Sequence, residues 1–174
     1  MKTTAWKVFL DYEKEEKWLN EMSAKGFALT DFSFCRYAFA DCEPGEYIYR
    51  IELLENVHGH PESQKYIGFM EENGVEHIAS WVRWVYFRKK AEYGPFDIFS
   101  DIGSRLTHYK RILALFFPIM CMEFLLGISQ FHWGFPLNNI AGIFIICLGV
   151  AFLIVVLSLR RKIKALKQEQ LLHE

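Results

Sequence analysis

The feature that most constrains the fold is a long stretch near the C-terminal end that carries no positive charge. The chain has 20 lysine and arginine residues in total, yet none occurs in Ile112–Leu159. Ile140–Leu159 is wholly uncharged, and a helix of that length is about 30 Å long, which matches the hydrocarbon thickness of a bilayer. Ile112–Ser129 is a second, shorter apolar run. The pattern predicts two transmembrane helices, at about residues 112–130 and 139–159.

Basic residues flank both predicted helices on the sides that lie away from the loop between them. That loop, residues 130–139, contains no lysine or arginine. Because short loops rich in lysine and arginine stay in the cytoplasm, we expect a multi-pass hairpin in the cell membrane with both chain ends cytoplasmic. Trp133 in the loop is typical of the outer membrane interface. The flanking residues are Arg105, Lys110 and Arg111 before the first helix, and Arg160, Arg161, Lys162, Lys164 and Lys167 after the second.

Charge divides the chain into an acidic N-terminal part and a basic C-terminal part. Residues 1–109 carry 13 basic and 18 acidic side chains, and residues 110–174 carry 7 basic and 3 acidic ones. Since phosphate contacts need clustered lysine and arginine, we do not expect direct binding of nucleic acid. The predicted organisation is a cytosolic domain over 1–105, a transmembrane hairpin over 106–160 and a basic cytosolic tail over 161–174. We expect anionic lipid to attract that tail.

Two segments of the N-terminal part match at an offset of 48 residues. Lys17-Trp18-Leu19-x-x-Met22-x-x-x-Gly26 aligns with Lys65-Tyr66-Ile67-x-x-Met70-x-x-x-Gly74. In each segment the apolar residues fall on one face of a helix, and glycine follows as a stop signal. Asp11 is a good N-cap for the first helix, and Pro61 suits the first position of the second. We predict that Trp18, Met22, Tyr66 and Met70 anchor two equivalent helices to the core.

Strand-like sequence follows each of these glycines. Residues 27–31, 34–40, 75–81 and 83–89 are rich in aromatic and β-branched side chains, and residues 46–54 alternate between apolar and polar. An early strand over residues 5–9 completes the order β-α-β-β-β-α-β-β. This order predicts an α+β domain with an antiparallel sheet, two helices and an internal αββ repeat, and it is compatible with a ferredoxin-like arrangement.

Several runs of residues resemble the signature of DUF 2812, an uncharacterised bacterial family. The runs are Glu15–Phe27, Glu46–Ile51, Tyr66 with Glu72–Gly74, Trp84–Arg88 and Asp97–Asp101. The resemblance implies C-terminal transmembrane helices, which members of the family typically carry. Their genes often adjoin those of transcriptional regulators of the PadR type, and this implies a regulatory protein partner. The resemblance supplies no catalytic residue.

The residues themselves point to no enzyme chemistry. The phosphate-binding, dinucleotide-binding, serine-hydrolase and metalloprotease motifs do not occur in the sequence. Cys35 and Cys42 are spaced as C-x₆-C, which matches no common zinc site. We therefore expect no catalytic residue, no metal and no cofactor.

Glu123 is an ionisable side chain deep in the first predicted span. An intramembrane carboxylate is costly, by about 2.5–3.5 kcal/mol on insertion scales, so it usually faces a protein interior. It could serve as a proton or cation site, or as a contact in a homo-oligomer. The alternative is a protonated side chain that hydrogen-bonds within the hairpin, for example to a carbonyl that Pro118 leaves without its helical donor.

Two functions are favoured at the level of sequence, and a third, a membrane enzyme, would need a polar cleft in the cytosolic domain. The first is a membrane-anchored cytosolic interaction protein that modulates a PadR-type transcriptional regulator, in which the acidic domain attracts a basic DNA-binding partner. The second is an oligomeric accessory subunit of a membrane transporter or channel that uses Glu123. Because two helices cannot enclose a pathway, the second function requires self-association.

Overall fold

The computed structural model describes residues 2–131 and 136–173, so Trp133 lies outside the described residues. The chain divides into two compact units, Met1–Ser100 and Asp101–Glu174. The first unit holds β1 (Lys2–Trp6), α1 (Tyr12–Ala24), β2 (Phe27–Ser33), β3 (Arg36–Asp41), β4 (Tyr47–Leu53), α2 (Pro61–Glu72), β5 (Glu76–Trp81), β6 (Trp84–Lys90) and a 3-10 turn (Ala91–Tyr93). The second unit holds α3 (Ile102–Gln130) and α4 (Pro136–His173).

The six strands form two antiparallel sheets with the orders β1-β3-β2 and β4-β6-β5. The predicted α+β class and the predicted order of elements are confirmed. The repeat is longer than predicted, because each half is a β-α-β-β unit that closes its own three-stranded sheet. A ferredoxin-like arrangement has a single sheet, so the structure differs from that expectation. The physical reason is that one edge of β4 pairs with β6 while helix α1 covers the other, which leaves no edge for β3.

The two halves share their backbone irregularities as well as their strand order. Gly26 and Gly74 end the equivalent helices with φ of +85° and +78°, a conformation that glycine adopts without strain. Each β-strand after these glycines has an irregular register at the same place, between Leu29 and Asp31 in β2 and between His77 and Ala79 in β5. The 48-residue offset therefore relates two copies of one supersecondary unit.

Helix α1 covers the outer edge of β4 with three polar side chains, Glu16, Asn20 and Ser23. These positions recur every three or four residues, so they share one face of the helix. The backbone N–H of Tyr49 donates to Asn20 Oδ1 at 2.8 Å, and Asn20 Nδ2 donates back to the Tyr49 carbonyl at 3.1 Å. Ser23 Oγ exchanges the same pair of bonds with Tyr47. The helix thus satisfies an edge that would otherwise present unpaired backbone groups.

Each helix presents its most buried apolar residue at the same point of the repeat, Leu19 in α1 and Ile67 in α2. Of the predicted anchors, Met70 is buried, while Trp18, Met22 and Tyr66 are half-buried and pack against the rims of the core. One cluster contains Leu19, Leu29, Tyr37, Phe39, Tyr49, Ile51, Ala79 and Tyr86. The other contains Leu54, Ile67, Met70, Val75, Val85, Phe87 and Phe96.

The second unit is a pair of helices that pack closely through glycines. A Cβ at Gly127 would lie 2.6 Å from Ile146 Cγ1 and 3.3 Å from the carbonyl oxygen of Gly142. A Cβ at Gly142 would lie 3.0 Å from the carbonyl oxygen of Gly127. Small residues therefore bring the two backbones together, a packing mode that membrane helix pairs also use. The predicted two-helix hairpin is confirmed.

Both helices are long and apolar enough to cross a membrane. Their 29 and 38 residues correspond to about 43 and 57 Å, so both exceed the hydrocarbon thickness of a bilayer. Large apolar side chains cover much of their outer surfaces, and exposed apolar surface of this extent marks contact with protein or membrane. Among these exposed side chains are Phe117, Met122, Leu125, Ile128, Ile143, Phe144, Ile154 and Leu157.

Candidate functional site

A buried carboxylate lies at the centre of the N-terminal unit and joins its two sheets. Glu15 of α1 is 8% exposed, and its Oε1 accepts hydrogen bonds of 2.7 Å from the hydroxyls of Tyr37 in β3 and Tyr86 in β6. Burial raises the pKa of Glu15 above its ordinary value of 4.5, and the two hydroxyls oppose that shift. One glutamate therefore holds a tyrosine from each sheet.

Glu16, the next residue, is also turned inward. Its Oε2 accepts a hydrogen bond of 3.0 Å from the backbone N–H of Ile51, and its Oε1 lies 3.3 Å from Arg50 Nη1. Burial raises the pKa of Glu16 from 4.5 to about 7, more than the Ile51 N–H and the Arg50 charge lower it. The side chain is an acid near neutral pH, but its partners are all internal. We therefore assign Glu15 and Glu16 to the architecture of the domain.

The sequence carried a signal for this cluster. Glu15 lies four residues before the buried Leu19, so it occupies the core-facing stripe of α1. At the level of sequence Glu15 and Glu16 suit the positive end of the helix dipole, and that role does not account for their burial. Arg50 forms an ion pair with Glu16, although Glu52 and Asp31 are closer to it along the sequence. Tyr66 donates to Glu52 at 2.7 Å instead.

A second cluster of polar side chains, centred on Arg88, extends from the core to the surface. Arg88 Nη2 lies 2.6 Å from Glu76 Oε2, its guanidinium carbon lies 4.1 Å from the ring centre of Tyr47, and its Nη1 donates to the carbonyl of Leu29 at 3.2 Å. The Tyr49 hydroxyl accepts from the backbone N–H of Leu29 at 2.8 Å. These bonds tie β2 of the first sheet to β4 and β6 of the second.

Around Glu76 and Lys90 glutamates outnumber basic side chains, and we name this region the acidic end. Two open grooves of about 530 and 490 Å³ meet at Lys90. Lys90 Nζ lies 3.6 Å from Glu92 Oε1, so its charge is partly neutralised. The glutamates that line the grooves are Glu43, Glu46, Glu71, Glu76 and Glu92. Only the tertiary structure gathers them, because they come from the β3–β4 connection, the end of α2, the start of β5 and the 3-10 turn after β6.

Glu123 lies within the helical hairpin, where it is half-buried. A Cβ built on Gly149 would lie 3.4 Å from Glu123 Cβ, so the glutamate emerges on the side of α3 that packs against α4. This position corresponds to a contact inside the hairpin.

Cys35 and Cys42 flank the two ends of β3 and so lie about 20 Å apart. No group of three or more metal-ligating side chains occurs among the residues that the structure describes.

Comparison with known families gives one match. The model of a family described as a protein of unknown function, DUF2812, matches residues 11–121. The matched range runs from the N-cap of α1 through the rest of the first repeat and the whole second repeat into α3. No curated protein and no solved structure matches the chain.

Proposed function

The chain belongs to the DUF2812 family of proteins of unknown function, and from that premise we propose that it is a membrane-anchored interaction protein. The helical hairpin holds the N-terminal domain at the cytoplasmic face of the membrane. The acidic end binds a basic protein partner, for which a PadR-type transcriptional regulator is the candidate implied by the family resemblance. The domain acts by capturing or releasing this partner and not by chemistry.

The observation that carries the proposal is the concentration of negative charge around Lys90. Residues 1–100 carry 12 basic and 17 acidic side chains, and five of the acidic ones line the two adjoining grooves. A surface of one sign attracts a partner of the opposite sign and accelerates their association. A DNA-binding protein presents such a basic surface. Capture at the acidic end would therefore compete with DNA for the same face of the regulator.

Binding can be tested with the full-length protein in detergent and the purified regulator. We expect a complex at low salt whose affinity falls at least tenfold when Glu43, Glu71 and Glu92 are all changed to glutamine. A matched variant removes equal charge elsewhere on the domain, by changing Glu13, Glu55 and Glu62 to glutamine. We expect its affinity to change by less than about threefold. Absence of a complex at low salt, or equal losses in both variants, would contradict the proposal.

The proposed topology places both chain ends in the cytoplasm. Its support is the cluster of basic residues at the two ends of the hairpin and the lack of lysine and arginine between the spans. In a chain without other cysteines, we expect Asn138→Cys to react with an impermeant maleimide added to intact cells. Lys65→Cys, at an exposed position of α2, should react only after lysis. The reverse pattern would show that the orientation is inverted.

The function of a transporter or channel subunit has less support. It depends on Glu123, and the contact of Glu123 with the Gly149 position favours a role in packing the hairpin. We therefore place the interaction function first.

A further inference from the structure

A second surface of the N-terminal domain is apolar, and we name it the hairpin-tip surface. It consists of the β2–β3 turn, the β5–β6 turn, the segment after β1 and residue 57. Its large side chains are Trp6, Val8, Phe34, Val57, Trp81 and Val82, whose exposed fractions lie between 40% and 73%. Exposed apolar surface of this kind marks a binding site for protein or membrane.

Ring and backbone contacts join these residues into one patch. The rings of Phe34 and Trp81 lie 5.4 Å apart, so the tips of the two sheets touch. The backbone N–H of Lys7 donates to the Cys35 carbonyl at 3.0 Å, which fixes Trp6 and Val8 beside the first tip. The N–H of His58 donates to the Val82 carbonyl, which fixes Val57 beside the second tip.

The tip of the second hairpin holds a valine where glycine would fit better. Val82 has φ of +57° in a two-residue turn between Trp81 and Trp84. A β-branched residue in this conformation is strained, typically by about 1–3 kcal/mol, whereas glycine is not. The strained turn places an aliphatic side chain, 56% exposed, at the outermost point of the hairpin.

Three of the four apolar segments of the surface carry a basic residue within two positions, whereas Val57 is followed by His58. Lys7 follows Trp6, Arg36 follows Phe34-Cys35, and Arg83 follows Trp81-Val82, with no acidic residue inside these segments. Asp31 offsets Arg36 in part through a contact of 3.3 Å. The acidic end lies at the other ends of the same strands, about 20 Å away. The domain is therefore polarised, with an apolar surface and basic residues at one end and, at the other, five groove-lining glutamates that outnumber Arg88, Lys89 and Lys90.

We propose that the hairpin-tip surface docks onto the anionic headgroups and interfacial region of the membrane to which the chain is anchored. Tryptophan and phenylalanine bury at the boundary between headgroups and acyl chains, and lysine and arginine attract anionic lipid. The same field repels the acidic end and turns it to the cytosol. Tethering by the hairpin raises the effective concentration of the domain at the bilayer, so even weak lipid contacts keep it docked. This inference rests on the membrane anchoring in the proposed function.

Two native cysteines provide matched reporters, because Cys35 lies at the tip end of β3 and Cys42 at the acidic end. The full-length chain, keeping one of them and with the other cysteines changed to serine, is spin-labelled and reconstituted in phosphatidylcholine vesicles with phosphatidylglycerol. We expect a label at Cys35 to be several times less accessible to an aqueous nickel chelate, and more accessible to oxygen, than a label at Cys42. Val82→Gly together with Trp6→Ser should abolish the difference. Because glycine relieves strain at position 82, the domain of this variant should remain folded.

Further measurements separate the possible explanations. Equal aqueous accessibility of Cys35 and Cys42 in anionic vesicles would overturn the proposal. So would protection of Cys35 that persists in detergent without lipid, since that result indicates a protein contact. A label at Ile154, an exposed position of α4, tests the anchoring separately. If Ile154 is in lipid while Cys35 is aqueous, docking fails and anchoring stands, whereas an aqueous label at both positions overturns both.

Discussion

The free energy of unfolding of the N-terminal unit is expected to fall by about 3 kcal/mol as the pH rises from about 4.5 to about 7. The cause is Glu16, whose pKa burial raises from 4.5 to about 7 in the folded domain. The unfolded chain releases this proton at lower pH than the folded domain. The stabilisation is therefore complete below pH 4.5 and is lost as the pH passes through 7. Glu15, whose pKa is also raised by burial, acts in the same direction.

Denaturant unfolding of residues 1–100 over this pH range measures the effect. Glu16→Gln removes the titrating group and keeps an oxygen that can accept from the Ile51 N–H, so the slope with pH should become shallower by the Glu16 contribution. Glu21→Gln, at an exposed position of the same helix, should leave the slope as in the wild type. A wild-type slope in Glu16→Gln, or a rise in stability with pH, would show that the carboxylate is ionised in the folded domain.

Trp18→Ala is expected to lower the free energy of unfolding of the same unit by about 3 kcal/mol, at the low end of the range for a buried aromatic because the ring is half-buried. Its ring centre lies 4.8 Å from that of Tyr37, 5.7 Å from that of Phe39 and 5.4 Å from that of Phe9. Removing it exposes the edges of two rings in the core cluster. It also removes the surface on which the Lys7 ammonium rests, 4.8 Å from the ring centre.

The neighbouring Lys17, which is exposed on the same turn, provides the control. Lys17→Ala should change the free energy of unfolding by less than about 0.5 kcal/mol. Tyr66→Ala tests the equivalent position of the second repeat, where the hydroxyl also holds the buried Glu52. If Trp18→Ala unfolds at the wild-type midpoint, the indole contributes to a binding surface and not to the core.

Local sequence was sufficient for the elements and for their repetition. The spacing of Leu19 and Met22, with Gly26 behind them, specifies a helix and its end without reference to the rest of the chain. The alternation in β4 and the apolar length of the two C-terminal helices are equally local. For this reason the order of elements, the αββ part of the duplicated unit and the helical hairpin could all be predicted.

The tertiary structure decided which elements pair and what they bring together. The two-sheet division depends on Asn20 and Ser23 of α1 bonding to β4, more than twenty residues away along the chain. The burial of Glu15 depends on Tyr86, which is 71 residues away. The acidic end and the hairpin-tip surface likewise exist only where separate turns meet. Local propensity carries no information about such partners, because the energies that select them arise from contacts between distant parts of the chain.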